Sequence, residues 1–236
     1  AKGGVLEIED LCSIRTFTSA SERIRKFLGI NREEFPPLED EYSRIHPLEK
    51  LNTLLAESLT DNGELNEDKF TILRKIRKEI FSSRQDIEKK ISRIIHSPDN
   101  EKVLQEKTYT TINGRYVILV KSGMRSRISG NVHDISSSGQ TVYFEPSDLT
   151  ELNNSLIMHE KELLLELQKI LAELTVHVAD HSDELDSNLR VLSYFDFLTA
   201  ASKFSIQTRS SEPVLSDKPL MKLCRAHHPM LQIMSP

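Results

Sequence analysis

The sequence predicts a mainly α protein: a helical core bundle joined to a long antiparallel helix pair that carries a small antiparallel β-sheet insert at its tip. Three observations predict it. Two apolar-striped segments of similar length, 66–97 and 147–180, flank an insert. The insert, from about Gln105 to Pro146, changes from helical periodicity to short β-prone runs. Chain that goes out along one helix and returns along another must leave the insert at the far end. That is an arm with a gripping end rather than a compact enzyme.

The first helix is expected over 6–28, where Ile8, Leu11, Ile14, Ile24, Phe27 and Leu28 recur at helical spacing and Gly29 offers a stop. Pro36 and Pro37 break the pattern. It resumes over 48–59, with Leu51, Leu54, Leu55 and Leu59 on one face, and Asp61-Asn62-Gly63 makes a turn. Asn66 is placed to cap the next helix. Leu73, Ile80, Ile87 and Ile94 stand seven apart along it, with Phe70 and Ile91 on the same stripe, and Ser97-Pro98 ends it. Its thirty-two residues would run about 48 Å.

Inside the insert, 109–112 and 115–120 are joined by Asn113-Gly114, a strong hairpin signal. The runs 128–135 and 141–144 flank a second turn, Ser136-Ser137-Ser138-Gly139, so four antiparallel strands are expected. The return helix begins at Ser147, a good N-cap, with Asp148 in its first turn. Its stripe is Leu149, Leu152, Leu156, Leu163, Leu167, Ile170, Leu174 and Val178, with a mean spacing close to the coiled-coil value. Each stripe is too narrow for a globular core, and the two can bury one another. A further helix over 182–204 is expected to pack with the first two helices in the bundle. From Pro213 the chain reads as the start of a new unit.

With 38% hydrophobic and 28% charged residues, the composition suits helices with much solvated face. Cys12 and Cys224 form neither a disulfide framework nor a metal pair, so a reducing, cytoplasmic setting is expected. No stretch has the apolar length of a membrane span, and no membrane partner is expected. The chain begins at Ala1 rather than Met, which fits an internal piece of a longer protein. A net charge of −5 argues against a dedicated nucleic-acid module, so any such contact must come from a local patch.

That patch would be Arg115, Lys121, Arg125 and Arg127, opposed only by Asp134 between 108 and 135. Four cations on a few strands suit phosphate contact without sequence readout. The plainer reading is a solvated sheet edge, where Lys and Arg deter aggregation, and the residues alone favour it slightly. His133-Asp134 beside Ser136, Ser137 and Ser138 has the components of a hydrolase, but no nucleophile elbow accompanies them, and a polar turn is the better reading. His177 and His181 have metal-ligand spacing without the Glu of HExxH, so an exposed helix end is preferred. His227-His228-Pro229 reads as packing. No GxxxxGK[ST] or GxGxxG is present, so ATP binding by the standard loop and ATP hydrolysis by this chain alone are not expected; no catalytic residue, cofactor or metal is assigned to it.

The run NGRYVILVKSGMRSRISGNVHDISSSGQTVYFEPSDLTELNN, 113–154, resembles the bacterial MutS-two proteins, a branch of the MutS ATPases. Matching positions include Gly114-Arg115-Tyr116-Val117, Val120-Lys121, Gly130, Val132-His133-Asp134, Ser136, Ser138-Gly139, Thr141, Glu145-Pro146 and Leu152-Asn153-Asn154. Weaker likeness extends to Asn62-Gly63-Glu64-Leu65 and to Arg225–Leu231, where His227 stands in place of the usual Arg. The resemblance implies a helical core at 1–65 and 182–212, lever helices at 66–104 and 147–181, a β clamp at 105–146, and the opening of an ATPase domain at 213–236. It implies a homodimeric parent whose ATPase domain takes ATP and Mg, usually with a nuclease-like domain. It implies binding of branched DNA, with suppression of recombination, or of ribosomal RNA in rescue of collided ribosomes. Arg115, Lys121, Arg125, Arg127 and His133 become its nucleic-acid-binding candidates. The competing reading is a structural coiled-coil arm whose tip contacts protein. Asn153 and Asn154 are read as satisfying backbone groups where lever meets clamp.

Overall fold

The computed structural model describes residues 3–34, 36–219, 221–224 and 226–229. Its elements are helices α1 (Ile8–Ile30), α2 (Glu39–Arg44), α3 (Glu49–Ser58) and α4 (Thr71–Ile95), strands β1 (Leu104–Ile112), β2 (Arg115–Lys121), β3 (Gly130–Ile135) and β4 (Thr141–Pro146), then helices α5 (Ser147–Ala179) and α6 (Ser182–Thr208). The described residues are mainly α with one small antiparallel sheet, as the periodicities predict. Two compact units divide the chain. One gathers Ser13–Thr53 and the described residues from Val178 onward, the other Leu54–His177 with the described residues up to Cys12.

In the first unit Leu28, Ile45 and Val191 are buried, with Ile24, Leu38, Tyr42 and Phe195 packed against them. Asn188, fully buried, accepts the His46 N–H through Oδ1 at 2.7 Å and donates Nδ2 to Ser21 Oγ at 2.8 Å and to His46 O at 2.9 Å. That one amide satisfies the extended backbone between α2 and α3. Helix α1 runs through Gly29 instead of stopping there. Asn31 ends it, donating Nδ2 to Phe27 O at 2.8 Å.

The second unit is built on α4 and α5. Ile76, Ile80, Ile87 and Leu156 form one buried cluster, with Leu152 and Leu163 beside it. Arg84 Nη2 donates to Glu160 Oε1 at 2.7 Å. Further along, Ile91 and Ile95 meet Leu149. Late α4 therefore faces early α5, and the pair is antiparallel. The strict seven-residue series does not last: Leu73, Ile80 and Ile87 are buried, but Ile95 takes the place expected for Ile94, which is half-buried. A straight helix drifts about 20° per heptad, so over three heptads the inward face moves on by most of one residue. Helix α4 also starts at Thr71 rather than next to Asn66. Asn66 instead forms a turn, its Oδ1 accepting the Asp68 N–H at 3.0 Å and its Nδ2 donating to Glu57 O at 2.9 Å.

The sheet order is β1-β2-β4-β3, antiparallel throughout. The Asn113-Gly114 turn has φ of 50° and 77°, the two positive values a type I′ hairpin requires. Strand β1 begins earlier than predicted, at Leu104, because its register jumps between Leu104 and Tyr109 and carries Gln105–Thr108 out as an exposed excursion. One face of the sheet gives Ile118, Val120, Val142 and Phe144 to a core shared with Ile91, Ile95, Val103, Leu104 and Leu149. No helix among the described residues is long and apolar enough to cross a membrane.

Candidate functional site

The residues of the motif run meet where β4 gives way to α5. Strand β2 pairs with β4 from Lys121↔Thr141 to Ile118↔Phe144. Carried two residues further, that register would set Tyr116 against Pro146. Proline has no N–H to offer, and there the chain turns into α5. Asn153, in the second turn of α5 and fully buried, stands in for the missing strand. Its Oδ1 accepts the Tyr116 N–H at 3.0 Å and its Nδ2 donates to Tyr116 O at 3.1 Å. The second hydrogen of the same amide goes to Glu145 Oε1 at 2.7 Å.

Glu145 is the one charged side chain in the buried set among the described residues, 2% exposed. Arg115 Nη1 donates to its Oε1 at 2.8 Å, and His133 Nε2 donates to its Oε2 at 2.7 Å. His133 reaches it through a β-bulge. Val132 pairs with Phe144 but Asp134 pairs with Tyr143, so His133 is an extra residue in β3. Such a bulge re-aims a side chain. Arg115 uses its other arm on Asn154, Nη2 to Oδ1 at 2.6 Å. One carboxylate thus ties β2, β3, β4 and α5 together, and among the described residues no buried side-chain nitrogen or oxygen is left without a partner.

Removing Asn153 opens this arrangement. Asn153→Ala leaves two part-buried backbone groups of Tyr116 without these partners and one oxygen of the buried Glu145 carboxylate short of a donor, and is expected to cost about 3 kcal/mol in urea unfolding. Asn154→Ala, whose side chain is exposed, should cost well under half of that.

Desolvation pushes the Glu145 carboxyl up, but the hydrogen bonds from Asn153, His133 and Arg115 and the charge of Arg115 outweigh it, so the group sits below the ordinary glutamate value of 4.5. A carboxyl depressed in the folded state contributes stability that is fully present above its unfolded value and lost as pH falls through the folded one. Wild type should therefore lose stability as pH falls below about 4.5, in the range where unfolded glutamate binds its proton. Glu145→Gln should lower stability at neutral pH and flatten that acid limb. Urea midpoints taken from neutral pH down to about pH 3 measure both effects.

The cationic candidates separate into two groups. Arg115 and His133 are about three-quarters covered, with side-chain exposures of 24% and 22%, and their donors point at Glu145. Lys121, Arg125 and Arg127 are exposed. Lys121 ends β2, its Nζ donating to Lys102 O at 3.2 Å. Arg125 and Arg127 lie on the 3-10 turn Ser122–Arg127 that links β2 to β3, with no counter-ion among the described residues. Met124, 40% exposed, sits on the same turn.

The other clusters are not assembled. Asp134 Oδ1 accepts the Ile135 N–H, Ser136 Oγ accepts the Thr141 N–H, and His133 is turned to Glu145, so no Ser-His-Asp relay forms. Among the described residues no three His, Cys, Asp or Glu side chains group as a metal site, His177 and His181 included. His227 and His228, expected to pack, are exposed. The Glu145 network was not anticipated from the sequence. Its one advance signal was the recurrence of Arg, His, Glu and Asn among the matched motif positions.

No protein-family model matches the chain. It is 33% identical over 232 residues to endonuclease MutS2 of Geobacillus sp. (strain WCH70), covering 97% of this chain and 30% of that protein. It is 32% identical over 231 residues to endonuclease MutS2 of Pelotomaculum thermopropionicum, covering 98% and 29%. For endonuclease MutS2 of Ligilactobacillus salivarius the values are 31% over 234 residues, covering 98% and 30%. Nearly the whole of this chain is therefore similar to a stretch of proteins named endonuclease MutS2, and it spans about 30% of their length.

Proposed function

We propose that the chain is the core, lever and clamp region of a MutS2-type protein, and that its sheet grips the phosphate backbone of branched or structured nucleic acid. Helices α4 and α5 act as the lever, and an ATPase domain outside this chain moves it. The parent works as a homodimer, so that two sheets close on one ligand. The observation that carries this reading is the exposed turn with Arg125 and Arg127, next to Lys121, free of counter-ions among the described residues. Cations so placed attract phosphate whatever the base sequence. Arg115 and His133 act behind them, holding the sheet, with direct contact left to the three exposed cations. A nucleic-acid ligand fits the relatives' printed name, endonuclease; branched DNA and structured ribosomal RNA present the same phosphate chemistry, and the binding titration distinguishes them.

A second reading, an arm whose tip contacts protein, draws on the exposed Met124 of that turn and on the net charge of −5. A photo-crosslinking residue at Met124 separates the two. The grip predicts nuclease-sensitive adducts in cells, whereas protein adducts alone from that position would overturn it in favour of the contact arm.

A further inference from the structure

We propose that Glu145 is a positioning residue for this grip: through Arg115, His133 and Asn153 it fixes the direction in which the cationic turn 122–127 is held relative to α4 and α5. The inference rests on the reading of that turn as a phosphate-contacting surface.

Three features carry it. First, a lone buried carboxylate is a poor way to gain stability, because desolvation offsets most of what its partners return. An apolar side chain would fill the same place. What an apolar side chain lacks is direction: Glu145 has two oxygens, and each is satisfied only when particular atoms of β2, β3 and α5 stand at 2.7–2.8 Å. Second, the elements it ties are the ones that frame the turn. The turn 122–127 leaves the end of β2 and enters β3, while Arg115 opens β2 and His133 sits in β3. Both strands that frame the turn are thereby tied through Glu145 to α5, β2 at Arg115, its end remote from the turn, and β3 at His133. Third, the tie is made twice on the helix side. Asn153 holds Glu145 and the Tyr116 backbone, and Asn154 takes the second arm of Arg115. A planar fork that spans two acceptors resists rotation in a way a single donor cannot.

This gives Arg115 a part that its charge alone does not describe, and the conservative variant isolates it. Arg115→Lys keeps the positive charge but replaces two rigidly spaced nitrogens with one ammonium on a flexible stem, which can donate to either acceptor but does not hold Glu145 and Asn154 in the fixed geometry of the fork. If Arg115 mattered as a cation for phosphate, lysine would largely replace it. As part of the tie, lysine fails.

The test uses the full 236-residue chain. Cys12 and Cys224 are replaced by Ser, and spin labels are attached at Gln85→Cys on α4 and Ser126→Cys on the turn. Distance distributions are recorded without nucleic acid for wild type, Glu145→Gln and Arg115→Lys, with circular dichroism to confirm that each is folded. Affinity for a four-way DNA junction is then measured on the unlabelled proteins. The expected result is a narrow distribution in wild type, a broadened one in both variants, and junction affinity lower by about tenfold in both. A distribution as narrow in Arg115→Lys as in wild type overturns the proposal, and so does a broadened distribution with unchanged affinity. Should Glu145→Gln fail to fold, Arg115→Lys alone decides. Failure of the underlying grip looks different: wild type itself would not bind, while the label distances, read without ligand, still respond.

Discussion

Gly130→Ala is expected to be among the most damaging small substitutions in the sheet. A Cβ at residue 130 would stand 2.0 Å from the Glu145 carbonyl oxygen, 2.9 Å from its carbonyl carbon and 2.7 Å from the Phe144 ring. Two of those atoms are backbone and cannot rotate away. Gly130 pairs with Pro146, where β4 ends, so relief requires β3 to move off β4 at the point where Glu145 is tied. The added methyl therefore acts as overpacking and as a break in the polar network at once. A cost of about 4 kcal/mol is expected, with a fall in the thermal midpoint of roughly 10 °C. Gly123→Ala is the matched control, because a Cβ there meets nothing within 4 Å. Differential scanning calorimetry of both variants measures the contrast. Equal midpoints would show that the β3–β4 junction is looser than described.

Reversing Lys121, Arg125 and Arg127 to Glu together should leave stability nearly unchanged and remove most nucleic-acid binding. All three side chains are exposed, and exposed substitutions usually shift stability by no more than about 0.5 kcal/mol each. Their effect on binding is of another size. Each phosphate contact contributes about 0.9 to the slope of log K against log salt on duplex DNA. Three contacts give a slope near −2.7, so affinity should fall about fortyfold between roughly 50 and 200 mM salt. The triple variant should lose that dependence, and at the lower salt its affinity should be down on the order of a hundredfold. Arg125→Glu with Arg127→Glu should lie between. Fluorescence anisotropy across a salt series reads slope and affinity together. A triple variant with wild-type slope would move the contact surface elsewhere on the chain.

The parts of this fold legible in the sequence are those set by local rules. Asn113-Gly114 announced its hairpin because positive φ at two successive positions is costly for most other pairs. The stripes of α4 and α5 announced a mutually buried pair because neither had enough apolar width to be buried alone. Local rules failed where a distant partner decides the outcome. Asn66 has the chemistry of a helix cap, but its amide found Glu57 O and kept it in a turn. Helix α2 follows two prolines and is only six residues long, too short for periodicity to mark.

At the site, the exposed Lys121, Arg125 and Arg127 were readable as charge. The separate duty of Arg115 and His133 was not. Arg115 is a cation like the others until Glu145, thirty residues on, and Asn154, thirty-nine on, are seen to occupy it. His133 was hidden further, because one extra residue in β3 decides which way it points, and nothing in its immediate neighbours signals the bulge. Asn153 was read as satisfying backbone groups, and it does so for Tyr116; its further bond to Glu145 depends on where β4 stops.

Salt-dependent binding of the unsubstituted chain tests the central claim most directly. A labelled four-way DNA junction, a duplex and a structured RNA are titrated with the chain at about 50 and 200 mM salt, concentrations across which three phosphate contacts change affinity about fortyfold. The account predicts binding at the lower salt, loss of affinity of that order at the higher, and a preference for the branched or structured ligands over plain duplex. Binding that does not respond to salt would contradict the phosphate grip, and so would an absence of binding to all three by both this chain and the longer homodimeric parent.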